Sequence, residues 1–352
     1  MKTSIASDLR LLAGQLLMAG IPGTALDTAT ALWLRENGIR AVCLRAHNIG
    51  DGAQLAGLTG ALHRILGPAA LVAIDAAGTP SAYPAWLPVP PTAMALCAAG
   101  DAELAHGTGA AAARGLRALG INWLFAPLLD PAGASGDAPG AAQAFGGDPA
   151  QAAAMALAWM AGSQAEGVAC CARLWLPEPG TGAVLPSVDK TRSQLEEHDF
   201  VPFRQAAAHA ASMMSAHVLY PALDAALPVS LSARVLQGLL RTQWGYDGVL
   251  LTHGIDGHGG NVAAQALAAG ADMVVLPDAG SVARALDAIG AALADATVPL
   301  QAVGARLQRR AAMAARYPAT SGVYAQEAAD RIIMAEARRR CQFAAPARQF
   351  RH

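Results

Sequence analysis

The stretch from Gly245 to Ser281, GYDGVLLTHGIDGHGGNVAAQALAAGADMVVLPDAGS, decides the fold. It holds two short apolar runs, Gly248–Thr252 and Met273–Leu276, separated by a longer alanine-rich run, Asn261–Ala269. A short apolar run bounded by glycine and polar residues reads as a buried strand, and the longer run reads as a helix. Strands that are apolar on both faces belong in a parallel sheet covered by helices.

Working outward, the same unit recurs. Strands are expected at Gln15–Ala19, Ala41–Leu44, Ala70–Ile74, Trp123–Ala126, Val168–Ala172 and Ser212–Ala216, ahead of the two already named. Helical stretches follow them at Leu26–Asn37, Asp51–Ile65, Asp101–Leu119, Pro149–Glu166, Arg192–Ala211, Ala233–Gln243 and Ser281–Leu293. Asp51, Asp101, Asp148 before Pro149, and Ser281 are the expected N-caps. Eight strand–helix units over roughly 280 residues predict an α/β fold, a closed TIM-type (β/α)8 barrel. No G-x-G-x-x-G follows the first strand, which argues against a dinucleotide-binding sheet.

After Ala296 the chain turns helical and basic, and a further helix is expected at Ala325–Arg340, ending in Arg338-Arg339-Arg340. The expected division is therefore a barrel over residues 1–320 and a C-terminal helix with a basic tail over residues 321–352. Cations at a helix C-terminus suit its macrodipole, and that is the plain reading of the run. A tail that docks a protein partner is the other.

Hydrophobic residues make up 54% of the chain and charged residues 14%, which supports a large buried core and excludes disorder. With 25 basic and 26 acidic residues the net charge is −1, so neither nucleic acid nor an anionic membrane is an expected partner. Apolar runs are too interrupted to span a bilayer, and Met1–Leu12 lacks the pattern of a signal peptide. Cys43, Cys97, Cys170, Cys171 and Cys341 form no secreted-type framework. A cytoplasmic location follows as the expectation. The adjacent Cys170 and Cys171 should point to opposite faces of a strand.

A barrel of this kind keeps its chemistry at the C-terminal ends of its strands. Those ends here are Arg45-Ala46-His47-Asn48, Asp75, Pro127-Leu128-Leu129-Asp130, Arg173-Leu174-Trp175, His217, Thr252-His253 and Pro277-Asp278. Acids and bases are few among them.

The segments Gly120–Asp130, Ala144–Pro149 (AFGGDP), Ser215–Asp224 (SAHVLYPALD), Gly245–Val249 and Ala269–Met273, in this order, resemble family 3 glycoside hydrolases. The branch that the chain resembles is that of the single-domain bacterial β-N-acetylhexosaminidases of cell-wall recycling. The resemblance runs over about residues 14–320. It implies the barrel fold and a sugar substrate built on N-acetylglucosamine, such as a muropeptide.

The resemblance also implies a retaining mechanism, with an Asp nucleophile directly after the Thr or Ser that ends strand seven. Here Thr252 is followed by His253 and Gly254. A neutral imidazole cannot offset an oxocarbenium charge as a carboxylate does. The branch carries an Asp-x-His acid/base dyad on the loop after strand five, whereas residues 174–186 contain neither Asp nor His. Glu178, between two prolines, is the one carboxylic acid there, and a solvated surface glutamate is its bland reading.

The substrate-gripping positions implied by the resemblance are also altered. A Lys-His pair becomes Arg173-Leu174, an arginine ahead of the Phe-Gly-x-Asp-Pro motif becomes Gln143, and a Glu-Gly-Gly-Arg run becomes Ala77-Gly78-Thr79-Pro80. Asp75 remains, with an implied role in binding sugar hydroxyls, and Asp130 and His217 remain as binding or supporting groups. The candidate binding set is thus Asp75, Asp130, Arg173, His217 and Gln143, with no confident catalytic residue.

Two other constellations stand beside this one. His253, Asp256 and His258 could converge on a metal, although no further ligand completes the shell. The glycines at 257, 259 and 260 and the Asp278–Ser281 turn could bind phosphate at helix N-termini, or simply permit tight turns. No cofactor is called for. The expected function is a degenerate family member acting by sugar or partner binding. The alternative is an active hydrolase that recruits Glu178, Asp75, Asp130, Asp256 or His253.

Overall fold

The computed structural model describes residues 2–75, 84, 86–130, 144–173, 185–252, 261–320 and 322–344. Gln143, Glu178, His253, Asp256, His258 and the tail 345–352 lie outside the described residues.

Eight parallel strands close into a barrel: β1 Leu17–Gly20, β2 Ala41–Leu44, β3 Leu71–Ile74, β4 Trp123–Leu124, β5 Ala169–Arg173, β6 Ser212–Ser215, β7 Val249–Thr252 and β8 Met273–Leu276. β1 pairs with both β2 and β8, which closes the ring. Each strand is buried throughout. Alternation sorts the side chains into two cores. Met18, Cys43, Ala73, Phe125, Cys171, Met214, Leu251 and Val275 pack inside the barrel. Val42, Val72, Leu124, Cys170, Met213, Leu250 and Val274 pack outward against the helices. The two adjacent cysteines do face opposite ways. Inside, the Trp123 indole N–H donates to Ser212 Oγ at 2.8 Å, so a large polar-tipped ring is buried without an orphan donor.

The surrounding helices are α1 Lys2–Gly14, α2 Thr28–Glu36, α3 Gly52–Leu66, α4 Ala93–Ala99, α5 Ala102–Ala118, α6 Pro149–Ala165, α7 Arg192–Gln194, α8 Phe200–Ala206, α9 Asn261–Ala269, α10 Ala279–Ala294, α11 Leu300–Arg316 and α12 Glu327–Ala344. α5 and α6 come unusually close. A Cβ at Gly109 would lie 2.0 Å from the Trp159 carbonyl oxygen, and one at Gly162 would lie 2.0 Å from that of His106. Glycine at both positions lets the two backbones touch.

Three expected caps hold: Asp51, Asp101 and Asp148 accept from Gln54, Leu104 and Gln151 backbone N–H groups at 2.9, 2.9 and 2.7 Å. The fourth does not. Asp278, not Ser281, caps α10, accepting the Ser281 N–H and its hydroxyl, both at 2.9 Å. The single helix expected at Arg192–Ala211 is broken into α7, a π-wound turn Leu195–Asp199, and α8. Pro202 has no N–H to offer the carbonyl four residues back, and the chain widens just ahead of it. The stretch Arg234–Gln243 is likewise π-wound. β1 starts two residues later than expected because α1 and its closing turn occupy the chain up to Leu16, and β5 starts one later because Val168 closes the turn that ends α6. The shift in β5 puts Arg173 on the strand itself.

α11 closes the N-terminal end of the barrel, where its Met313, Ala314 and Tyr317 join the interior core. Asn122 ties that end together: its amide donates to the Ala70 and Tyr317 carbonyls at 3.0 and 2.9 Å and accepts from the Val72 N–H at 2.8 Å. α12 lies against α4 and α5. Its buried Asp330 receives Arg114 and the Tyr324 hydroxyl. Arg338 donates to the Val89 carbonyl, Arg339 pairs with Glu336, and Arg340 pairs with Asp101, so the basic run is engaged within the fold.

Candidate functional site

At the C-terminal ends of the strands, alternation carries the inward row from Ala73 to Asp75 and from Cys171 to Arg173. Arg173 Nη1 donates to Asp75 Oδ1 at 2.9 Å, with side-chain exposures of 7% and 22%. The backbone fixes both partners. The Asp75 N–H donates to the Leu44 carbonyl at 3.1 Å, and the Arg173 N–H donates to that of Pro127 at 3.1 Å. Two of the five candidate binding residues therefore meet across β4, as an ion pair that the sequence did not suggest.

That contact is unsaturated on both sides. An ionised carboxylate offers about four lone-pair sites. Among the described residues Asp75 accepts from one donor, and Arg173 Nε is buried with no hydrogen-bond partner. Below the pair lie Cys43 and Cys171. Burial pushes both thiols up to about 12, and the charge of Asp75 adds to the rise. Neither is a nucleophile at neutral pH.

Asp130 follows β4 and His217 follows β6. Asp130 is buried and sits with Tyr220 and Asp199: burial, then the charges of Asp130 and Asp199, push the Tyr220 hydroxyl well above its ordinary value. Asp199 in turn accepts from Lys190 Nζ at 2.6 Å and meets His198 Nδ1 at 2.9 Å. His198 Nε2 reaches the Gly147 carbonyl at 3.2 Å, linking this cluster to the Ala144–Pro149 motif. His217 Nδ1 is 2.7 Å from Ser230 Oγ, which orients the ring from the loop after β6. Asp130 and His217 are thus built into the walls, while Asp75 and Arg173 face each other at the strand ends.

Sequence reasoning did not single out Tyr220, Asp199, Lys190 or Asn48. Asn48 holds the loops after β1 and β2 together, donating to the Ile21 and Gly23 carbonyls at 3.0 and 2.7 Å. Its signal was present as the polar residue ending Arg45-Ala46-His47-Asn48, but only the fold brings Ile21 beside it.

Among the described residues no three His, Cys, Asp or Glu side chains are grouped to hold a metal. The phosphate reading of the loop after β8 meets an obstacle. The Asp278 carboxylate already occupies the N-terminus of α10, and the Ser281 N–H holds its pKa below the ordinary carboxylate range. Its negative charge repels a second anion there. No described helix is long and apolar enough to cross a membrane.

Comparison with known proteins fits this architecture. The chain is similar to the β-hexosaminidase of Chromobacterium violaceum, 34% identical over 318 residues, covering 84% of this chain and 86% of that protein. It is also similar to the β-hexosaminidase of Alkalilimnicola ehrlichii, 32% identical over 285 residues, covering 74% and 80%. Among solved structures, a glycoside hydrolase family 3 β-N-acetylglucosaminidase from a Paenibacillus species superposes with a TM-score of 0.84 at 30% identity, over 96% of this chain and 68% of that one. The model of the glycosyl hydrolase family 3 N-terminal domain matches residues 9–312, the barrel from the end of α1 into α11, and the chain belongs to that family.

Proposed function

We propose that this protein binds an N-acetylglucosamine-containing glycan at the C-terminal mouth of its barrel and has lost the hydrolytic centre of its relatives. The observation that carries the reading is the state of Asp75. Among the described residues it accepts one bond, from Arg173, which leaves acceptor capacity for sugar hydroxyls. A carboxylate so placed grips a polyol without needing to react. The loss of hydrolysis rests on the sequence: His253 and Gly254 follow Thr252, and residues 174–186 supply no Asp or His. A cell-wall fragment inside the cell is the setting that this reading implies, with the basic tail as a second surface for a protein partner.

The test is hydrolysis of a chromogenic N-acetylglucosaminide, alongside thermal unfolding with N-acetylglucosamine or a muropeptide. The expected result is no turnover above background and a saturable rise in Tm that Asp75→Asn removes. Turnover abolished by His253→Ala or Glu178→Ala would overturn the pseudoenzyme reading in favour of an active hydrolase with recruited groups. Absence of any sugar-dependent shift would overturn the binding reading.

A further inference from the structure

α11 carries four arginines, and three of them have close partners, although Arg306 Nη1 is buried with none among the described residues. Arg306 donates to the Ala271 and Leu267 carbonyls at 2.9 and 2.6 Å. Arg309 pairs with Asp272 at 2.7 Å. Arg316 lies over the Tyr317 ring, 5.4 Å from its centroid.

Arg310 is different. It is 6% exposed, and its Nε and Nη1 are buried with no hydrogen-bond partner among the described residues. Its one hydrogen bond among the described residues is a long one, from Nη2 to Gln15 Oε1 at 3.4 Å. The charged group that acts on it is Arg40, of the same sign; burial first and Arg40 second lower its pKa. Among the described residues Arg40 makes one long side-chain hydrogen bond, from Nη1 to the Leu66 carbonyl at 3.4 Å. Neither arginine forms an ion pair among the described residues. A guanidinium keeps its proton, so it cannot escape burial by neutralising. Two like charges set together, one of them buried, raise the energy of the fold unless a countercharge sits with them.

We propose that Arg40 and Arg310 form an oxyanion-binding site at the N-terminal ends of β1 and β2, taking a phosphate group that approaches from the side of the half-buried Arg40. Planar guanidinium groups suit tetrahedral oxyanions, and a bound dianion balances the charges of Arg40 and Arg310. The site lies at the opposite end of the barrel from Asp75 and is independent of the glycan reading.

The experiment is thermal unfolding of the full chain in inorganic phosphate, against sodium chloride at matched ionic strength. The expected result is a saturable rise in Tm with phosphate that chloride does not reproduce. Arg40→Gln should weaken the apparent phosphate affinity about tenfold or more, the scale of one lost charge-assisted bond. Arg310→Met removes an unneutralised buried charge, so its Tm in chloride should equal or exceed that of the wild type, and the order should reverse in saturating phosphate. A rise that chloride matches, or one that survives in both variants, would overturn the site. If Arg310→Met does not fold, calorimetric titration of Arg40→Gln with phosphate decides alone. Glycerol 3-phosphate identifies the source: tighter binding than inorganic phosphate assigns the site to a phosphorylated small molecule, and equal or weaker binding assigns it to the free ion.

Discussion

At the N-terminal ends of the strands, Asp272 accepts from Arg241 Nη2 at 2.5 Å, the Leu250 N–H at 2.8 Å, and Arg309 Nη2 and Nε at 2.7 and 3.1 Å. At the C-terminal ends, Asp75 accepts from Arg173 alone among the described residues. Both are carboxylates paired with arginine at the end of a strand. The first is 0% exposed with its lone pairs filled, while the second keeps 22% of its side chain exposed and most of its acceptor capacity. Saturation fixes a structure and leaves nothing for a ligand. Incompleteness costs some stability and leaves a place to bind, at Asp75 in the mouth as at Arg310 beneath the barrel.

The largest effect should come from breaking the saturated end. Asp272→Ala strands Arg241 and Arg309 and leaves the Leu250 N–H without its acceptor. Removing one member of a buried network of this kind costs about 3–5 kcal/mol. Chemical denaturation should show that loss, or a chain that no longer folds. A loss below about 1 kcal/mol, the scale of an exposed ion pair, would show that the network is solvated and the contrast between the ends is false.

Much of this was legible in the sequence. Apolar runs of four or five residues gave the strands, since a barrel buries both faces and leaves no polar alternation to confuse the reading. Asp51, Asp101 and Asp148 announced their helices because an N-cap is a local interaction, made three residues along the chain. What escaped was non-local or hidden by composition. α1 and α4 are short of the periodic contrast that marks a helix: α4 is Ala93-Met94-Ala95-Leu96-Cys97-Ala98-Ala99, almost uniformly apolar. The Arg173–Asp75 pair joins residues 98 positions apart, and the Asp272 network joins β8 to α11 and to the π-wound stretch before β7. No spacing in the sequence encodes either. Asp130 was legible as a polar residue at a strand end, but its place beside Tyr220 depends on how the loops after β4 and β6 fold together.

The second prediction sharpens the contrast by treating the mouth pair as a unit. Asp75→Leu alone leaves Arg173 buried and unpaired, and should destabilise the chain by about 2 kcal/mol. Adding Arg173→Met should recover most of that loss, because an apolar pair of similar volume removes the stranded charge along with its partner. A double-mutant cycle in urea measures the recovery, and sugar-dependent stabilisation should stay abolished in the double variant. Stability restored while binding is lost separates the pair's two roles. Binding that returns in the double variant would move the sugar-gripping role away from Asp75.

The smallest effect returns to the saturated end and uses pH. His63, in the last turn of α3, packs beneath Gly120, and its Nε2 is buried with no hydrogen-bond partner among the described residues. Burial lowers its pKa below the ordinary 6.5, against an opposing backbone hydrogen bond at Gly120. The unfolded chain therefore takes up a proton on this imidazole before the folded chain does. Its contribution is fully present above pH 6.5 and declines as the pH falls from 6.5 toward the lowered folded value. Urea unfolding of wild type and His63→Phe across that window should show a shallower pH slope in the variant. An unaltered slope in His63→Phe would mean that the imidazole is already hydrated in the folded chain, so that the N-terminal end of the barrel is wetter around α3 than the filled lone pairs of Asp272 imply.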